Sequence, residues 1–274
     1  MSPSDDGTDF IVTKQRDPAR RRAEIVRLSV VMAVFNEEAT VAEAIDRVLG
    51  IDLGSSELEL VIVEGNSDDR TREIVDGFGD DPRVRVIHES EPRGKGRAVR
   101  TGLEAVTGDV VLIQDGDLEY RVEDYPVLLG PIATGEASFV LGSRHADGVA
   151  MREFKGTRGV DRLMNLGHLG FTFLFNVVYR TRLKDPFTMY KVFRTECIEG
   201  LSFCANRFDF DWELVAKLVR RGHRPVEVPV YYESRGFESG KKVRFFRDPI
   251  TWIVALVRFR FSKIPSPVDA SVSL

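Results

Sequence analysis

Two aspartates flank a glycine at Asp115-Gly116-Asp117, directly after the apolar run Val110-Val111-Leu112-Ile113. A carboxylate pair of this kind can hold one divalent cation against a diphosphate. Mg²⁺ and Mn²⁺ prefer oxygen donors and commonly take one or two carboxylates together with substrate phosphates. Glu119 offers a third oxygen two residues further on. A solvated turn uses the same residue types, but the preceding apolar strand and the acidic loops elsewhere in the chain favour a metal site.

Two further segments suit a nucleotide. In Val63-Glu64-Gly65-Asn66-Ser67-Asp68-Asp69-Arg70-Thr71, Ser67 or Asp68 can cap the helix that follows. Capping does not explain Glu64, whose carboxylate can face the ring nitrogens or ribose of a nucleotide. Arg93-Gly94-Lys95-Gly96-Arg97 is a basic, glycine-rich entry to a helix, where phosphate can meet both backbone and charge. Taken alone, it reads equally well as a solvated basic loop.

The elements that must position these residues alternate along the chain. Leu28 to Phe35, Leu58 to Val63, Val84 to His88 and Val110 to Ile113 read as strands, the second of them buried. Between them lie helical patterns: Val41, Ala44, Ile45, Val48 and Leu49; Asp69 to Phe78; and Val99, Leu103 and Val106 beyond Gly96. This order predicts an α/β fold with a parallel sheet wrapped by helices. Ligands of such sheets bind beyond the carboxyl ends of the strands. Asn36, Glu37 and Glu38 follow the first strand, Glu64 to Ser67 the second and Asp115 to Asp117 the fourth, so three loops converge on one edge. Further strands are expected at Ser138 to Ser143, Met189 to Phe193 and Pro225 to Val230. Helices are expected at Asn165 to Tyr179 and around Trp212, Val215, Ala216 and Val219.

At 274 residues, 43% hydrophobic and 30% charged, the chain suits one folded α/β domain rather than a disordered protein. A net charge of -4 argues against a nucleic-acid binder, which needs excess cations to displace phosphate counterions. Cys197 and Cys204 make neither a disulfide framework nor a metal quartet, and no secretory signal opens the chain. A cytoplasmic location is therefore expected. No apolar run approaches the ~20 residues of a spanning helix. The expected organisation is a lead-in over 1–27, a catalytic domain over 28–248 and an amphipathic segment over 249–274 that associates with a membrane or a partner.

The ordered motifs Val34-Phe35-Asn36-Glu37-Glu38, Val63-Glu64-Gly65-Asn66-Ser67, Gly94-Lys95-Gly96, Asp115-Gly116-Asp117 and Gly142-Ser143-Arg144 resemble those of family 2 glycosyltransferases. Dolichol-phosphate mannose synthases and bacterial polyprenyl-phosphate glycosyltransferases form the branch that the chain resembles most. The resemblance implies a GT-A (Rossmann-like) fold, with a mostly parallel central sheet flanked by helices. It implies a donor nucleotide site at Val34, Phe35, Asn36, Glu37, Glu64, Asn66, Ser67, Lys95, Asp115 and Gly116. Metal would sit on Asp115, Asp117 and Glu119. Arg144 would lie near the donor sugar and acceptor phosphate, Asp185 and Lys191 on the acceptor side, and Asp211 in an acidic helix start beneath the site. Ser234-Arg235 through Gly240-Lys241-Lys242 would form a basic loop over the phosphates. The chain departs from the family where Glu64-Gly65 stands in place of two aspartates, and at Glu119, often Gln or Ser.

These expectations combine into an inverting, Mg²⁺- or Mn²⁺-dependent hexosyl transfer from GDP-mannose or UDP-glucose to a polyprenyl or dolichyl phosphate. Asp117, Arg144, Asp185, Lys191 and Asp211 would form the catalytic set. An ionised acceptor phosphate needs positive charge rather than a general base; Arg144, Arg158, Lys191, Arg235 and Lys241 are the candidates to supply it. A hydroxyl acceptor would instead need Asp185 or Asp211 as base. A nucleotidyltransferase and a catalytically silent binding module are the other classes, and intact Asp115 and Asp117 argue against silence. Asn165 to Tyr179 and the aromatic, cationic stretch Lys241 to Lys263 are candidate contacts for the cytoplasmic membrane face or a membrane partner subunit.

Overall fold

The computed structural model describes residues 10–11, 27–144, 158–234 and 248–264. In chain order its elements are β1 (Phe10–Ile11), β2 (Arg27–Val34), α1 (Val41–Leu49), β3 (Glu57–Glu64), α2 (Thr71–Asp76), β4 (Val84–His88), α3 (Lys95–Ala105) and β5 (Val110–Asp115). They continue with α4 (Tyr125–Ala133), β6 (Phe139–Ser143), α5 (Arg158–Tyr179), β7 (Lys191–Arg194), β8 (Ser202–Phe203), α6 (Asp209–Arg220), β9 (Val226–Pro229) and α7 (Asp248–Phe261).

Seven strands form one sheet in the order β4-β3-β2-β5-β7-β6-β9, and β1 pairs with β8 apart from it. Strands β2 to β5 run parallel, as their alternation with helices requires. The central strand β2 is buried on both faces, which is why its sequence is nearly continuously apolar. Alternate residues serve opposite layers. Val31, Val61, Val63, Val111 and Ile113 pack with α3, α5, α6 and α7, whereas Val30, Met32, Leu60, Ile62 and Leu112 pack with α1, α2 and α4.

β7 is the antiparallel member of this mostly parallel sheet, running antiparallel to both β5 and β6. Its reversed direction puts its first residue, Lys191, opposite Ile113, two positions before Asp115, at the edge where β2, β3 and β5 end. The helix α4 was not expected; Pro131 and Gly130 interrupt its helical pattern, while Pro126 suits its first turn.

The segment expected from residue 249 as an appendage begins as a helix at Asp248 and shares the main core. Ala255, Leu256 and Phe259 are buried. Arg220 of α6 donates to the Phe259 carbonyl (2.6 Å) and to Ser262 Oγ (3.0 Å), and the Tyr179 hydroxyl donates to the Leu256 carbonyl (2.9 Å). The lead-in over 1–27 lies almost wholly outside the described residues.

Candidate active site

The loops after β2 and β3 are laced together. The Asn36 amide donates to Ser67 Oγ (3.0 Å), the Glu37 amide to Thr71 Oγ1 (2.8 Å) and the Glu38 amide to Asp69 Oδ2 (3.2 Å). In return the Asp68 amide donates to Asn36 Oδ1 (3.1 Å) and the Arg70 amide to Glu38 Oε2 (3.0 Å). Both loops turn through left-handed backbone at Asn36 (φ 52°) and Asn66 (φ 63°), a conformation asparagine tolerates better than most side chains. Thr40 Oγ1 then reaches the Gly116 carbonyl (3.1 Å), tying the first loop to Asp115-Gly116-Asp117. At Gly116 a Cβ would stand 2.5 Å from Val34 Cγ1, so only glycine lets the carboxylate turn close against β2.

Glu64 is fully buried. Its Oε1 accepts the Ser67 amide (2.6 Å), and its Oε2 lies 3.3 Å from His88 Nδ1, whose Nε2 in turn lies 2.8 Å from Asp76 Oδ1. Glu64 therefore braces the Gly65 to Ser67 turn from beneath, a local role the sequence pattern did not reveal. Glu64, expected to face base and ribose, lies beneath the turn that would carry that contact.

Lys95 opens α3 and forms an ion pair with Asp115. Burial pulls its ammonium down, but Asp115, Asp211 and Asp117 outweigh that and hold its pKa above the ordinary lysine value. The Gly94-Lys95-Gly96 turn is gripped from behind: a Cβ at Gly96 would stand 2.6 Å from both the Arg207 carbonyl and Phe210 Cβ. The Arg97 amide donates to the Asn206 carbonyl (3.1 Å) and Arg100 to Asn206 Oδ1 (2.8 Å). Asn206 is fixed in turn by buried Glu213, which accepts the amides of Cys204 (3.0 Å) and Ala205 (2.7 Å).

Among the described residues no three His, Cys, Asp or Glu side chains gather into a metal-binding group. Glu119, expected as a third metal ligand, accepts the Tyr232 hydroxyl through Oε2 (2.9 Å). Asp117, almost buried, accepts the Glu119 amide (3.0 Å) through Oδ1. Two adjacent carboxylates with purely oxygen donors fit Mg²⁺ or Mn²⁺ shared with a diphosphate, rather than an all-protein cage.

The opposite side of the edge is cationic and dry. Arg144 binds Asp185 bidentately, Nε to Oδ2 at 2.7 Å and Nη2 to Oδ1 at 2.8 Å, and its amide also donates to Oδ2 (3.1 Å). The amides of Lys184 and Asp185 are held by Glu227. Burial alone would raise the Asp185 pKa, but the charge and hydrogen bonds of Arg144, with His168, hold it well below the usual carboxylate range. Burial likewise opposes the Arg144 charge, and Asp185 more than restores it. Lys191 is fully buried, donating to Asp211 Oδ1 (2.8 Å) and to the Thr188 carbonyl. Burial lowers its pKa, with only partial compensation from Asp211.

The structure thus brings Lys95, Asp115, Asp117, Lys191 and Asp211 into one electrostatic cluster, with Arg144 and Asp185 beside it. Asp185 and Asp211, expected as alternative bases, are both engaged in ion pairs. Val34 is buried in the core behind Gly116, and Phe35 lies against Gly65. Arg158 opens α5, but its side chain, like Arg235 and Lys241, lies outside the described residues. Sequence reasoning missed Tyr120, Tyr232, His88 and His168. Tyr120 packs between Tyr190 (4.5 Å) and Tyr232 (5.1 Å), and Arg144 lies 5.1 Å over the Tyr232 ring. Aromatic residues scattered in sequence carry no local sign of such a cluster. Asn165, His168 and Thr172, polar at helical spacing in an apolar helix, did carry one.

Residues 29–215 match the family described as Glycosyl transferase family 2. Glycosyltransferase AglD of Haloferax volcanii is 30% identical over 264 residues, 91% of this chain and 40% of its own length. The Dolichyl-phosphate hexose transferase of the same organism is 32% identical over 212 residues, 77% of this chain and 85% of its own length. The Dolichol-phosphate mannosyltransferase of Pyrococcus furiosus is 27% identical over 216 residues, 79% of this chain and 59% of its own length. The chain therefore spans less than two thirds of the length of some curated relatives it matches and most of the length of another. Among solved structures, the glucosyl-3-phosphoglycerate synthase of Mycobacterium tuberculosis, crystallised with Mn²⁺, UDP and phosphoglyceric acid, has a TM-score of 0.63 at 22% identity over 88% of this chain and 80% of that one. That likeness carries the fold alone, which is the GT-A fold. The laced loops after β2 and β3, the carboxylate turn at the end of β5 and the match over most of the chain agree: the chain belongs to glycosyl transferase family 2.

Proposed function

We propose that this chain transfers a hexose, with inversion, from a nucleotide-sugar donor to a polyprenyl or dolichyl phosphate. One observation carries the choice of acceptor. Asp185 and Asp211, the carboxylates that a hydroxyl acceptor would need as base, are each committed to a cation, Arg144 and Lys191. A site with its candidate bases neutralised and a strongly held guanidinium beside them suits an acceptor that arrives already ionised. The names of relatives such as the Dolichyl-phosphate hexose transferase support the same reading.

In this reading the donor base and ribose lie along Phe35, Asn36, Glu37 and the Gly65 to Ser67 turn that Glu64 braces. Lys95 faces the donor phosphates. Asp115 and Asp117 would hold Mg²⁺ or Mn²⁺, which supplies charge stabilisation to the departing nucleoside diphosphate. Arg144 orients the acceptor phosphate for in-line attack, and buried Lys191 adds positive charge behind it. Arg158, Arg235 and Lys241 are proposed as further phosphate contacts.

A second part of the proposal is peripheral attachment to the cytoplasmic face of a membrane. No helix among the described residues is long and apolar enough to cross one. Leu166, Leu169, Phe173, Leu174 and Val177 of α5 are exposed at helical spacing, with Phe173 66% accessible. Ile253, Val254, Val257 and Phe261 of α7 are exposed likewise. Neither 165–184 nor 253–264 contains an acidic residue, while Arg180, Arg182, Lys184, Arg258, Arg260 and Lys263 supply cations. Exposed apolar faces with cations and no opposing charge fit an anionic bilayer.

The test is a panel of radiolabelled GDP-mannose and UDP-glucose with detergent-solubilised polyprenyl phosphate and Mg²⁺ or Mn²⁺, scored for label entering the organic phase. Label transferred only to a water-soluble saccharide would overturn the acceptor assignment. Release of pyrophosphate would point to a nucleotidyltransferase.

A further inference from the structure

Asp185 is held from two sides. Arg144 takes both carboxylate oxygens from the cleft side, through the Nε and Nη2 bonds described above. From the other side comes α5: His168 Nε2 lies 3.4 Å from Asp185 Oδ1. The pairing is dry, with Asp185 fully buried and His168 8% accessible. The imidazole is further fixed edge-on to Phe187 at 5.8 Å, and Phe187 stacks on Trp212 of α6 at 4.0 Å.

We infer that His168 is a positioning residue for Arg144, acting through Asp185, so that the seating of α5 sets the orientation of the guanidinium offered to the acceptor. Asp185 is the only link this requires. Its carboxylate rotates about a single side-chain bond, and a bidentate pair transmits that rotation directly to the guanidinium plane. The imidazole edge that α5 holds 3.4 Å from Oδ1, a charge contact short of a hydrogen bond, limits that rotation. The helix that carries His168 on its inner face carries Leu169 and Phe173 on its outer, exposed face. The element proposed to meet lipid is therefore the one that steadies the phosphate-binding arginine. This inference rests on the acceptor role proposed for Arg144.

Two substitutions with the same chemistry and different reach test it. In His168→Gln the side-chain amide can occupy the place of Nε2 and still donate to Asp185. In His168→Asn the amide stops near the place of Nδ1 and falls short. The full-length proteins are compared by the NMR signals of the Arg144 guanidinium, assigned with Arg144→Lys, without any acceptor present. They are also compared by KM for donor and for polyprenyl phosphate.

The expected result is a wild-type-like Arg144 signal in His168→Gln and a shifted or broadened one in His168→Asn. The acceptor KM of His168→Asn should rise up to roughly tenfold, the scale of about 1.4 kcal/mol from one lost polar contact to a charged group, with donor KM unchanged. Equal Arg144 signals in the two variants would overturn the inference, as would equal rises in both KM values. Absence of lipid transfer by the wild-type protein would instead sink the acceptor assignment, and the NMR comparison would still decide the role of His168.

Discussion

The ammonium of Lys95, the first residue of α3, pairs with the carboxylate of Asp115, the last residue of β5. One charge pair thus joins the glycine-rich turn to the carboxylate turn at the sheet edge. In the proposed reading a donor diphosphate entering here would meet cation and carboxylate pair together, which makes the balance of charge at Asp115 and Asp117 the feature to test first.

Asp115→Asn and Asp117→Asn should each lower turnover by about 10²-fold or more, the scale expected when charge that stabilises a leaving group is removed. EDTA should abolish transfer, and added Mg²⁺ or Mn²⁺ should restore it. Steady-state rates with and without chelator check this; EDTA-insensitive transfer would remove the metal from the reading.

Glu64→Ala should raise the donor KM more than it lowers turnover, because a collapsed Gly65 to Ser67 turn weakens ground state and transition state alike. It should also destabilise the fold by about 1–2 kcal/mol, since the part-buried Ser67 amide and His88 each lose a partner. Donor titration and chemical denaturation of the same variant test both halves. A wild-type stability would show that Glu64 is no brace.

The Asp185 carboxyl is held well below the ordinary value of about 3.9, because Arg144 and His168 outweigh the effect of burial. A carboxylate with a depressed folded-state pKa adds stability that is present above its unfolded pKa and lost as pH falls toward its folded one. The gap in Tm between wild type and Asp185→Asn should therefore be flat above about pH 5 and narrow below about pH 4. A gap constant down to about pH 2 would mean that the ion pair is not its source.

Phe173→Ser together with Phe261→Ser should weaken co-sedimentation with anionic liposomes and leave Tm nearly unchanged, because both side chains are exposed. Attraction of about 1 kcal/mol per basic residue near the surface should also fade at high salt. Truncation after Asp248 is a different experiment. It removes Phe259 from the core and the contacts of Arg220, so Tm should fall along with liposome binding. Undiminished sedimentation of the double variant would exclude these faces as the attachment.

The parallel half of the sheet was legible because its inner strands β2 and β5 are buried on both faces and each crossover helix has an apolar face of helical period. Val41, Ala44, Ile45 and Val48 are all buried, as their spacing requires. The carboxylate turn was legible for the same reason, since a buried strand that ends in two aspartates has few other uses. The direction of β7 was not legible: four residues, Lys191 to Arg194, pair equally well either way in sequence terms, and only their seat between β5 and β6 decides.

What the sequence determined by itself was a parallel α/β sheet, from local periodicity, and, through motifs within single loops, a resemblance to family 2 glycosyltransferases, the GT-A fold it implies and the sheet edge proposed as the site. The tertiary structure decided which charges answer which. Asp185, expected as a candidate base, carries Arg144 from 41 positions earlier, and Glu64, expected at the ribose, is enclosed by Ser67 and His88. Glu119, expected at the metal, accepts the Tyr232 hydroxyl from 113 positions away. A buried charge takes its role from the partner that offsets its desolvation, and that partner is fixed by packing across the fold rather than by neighbours in the chain.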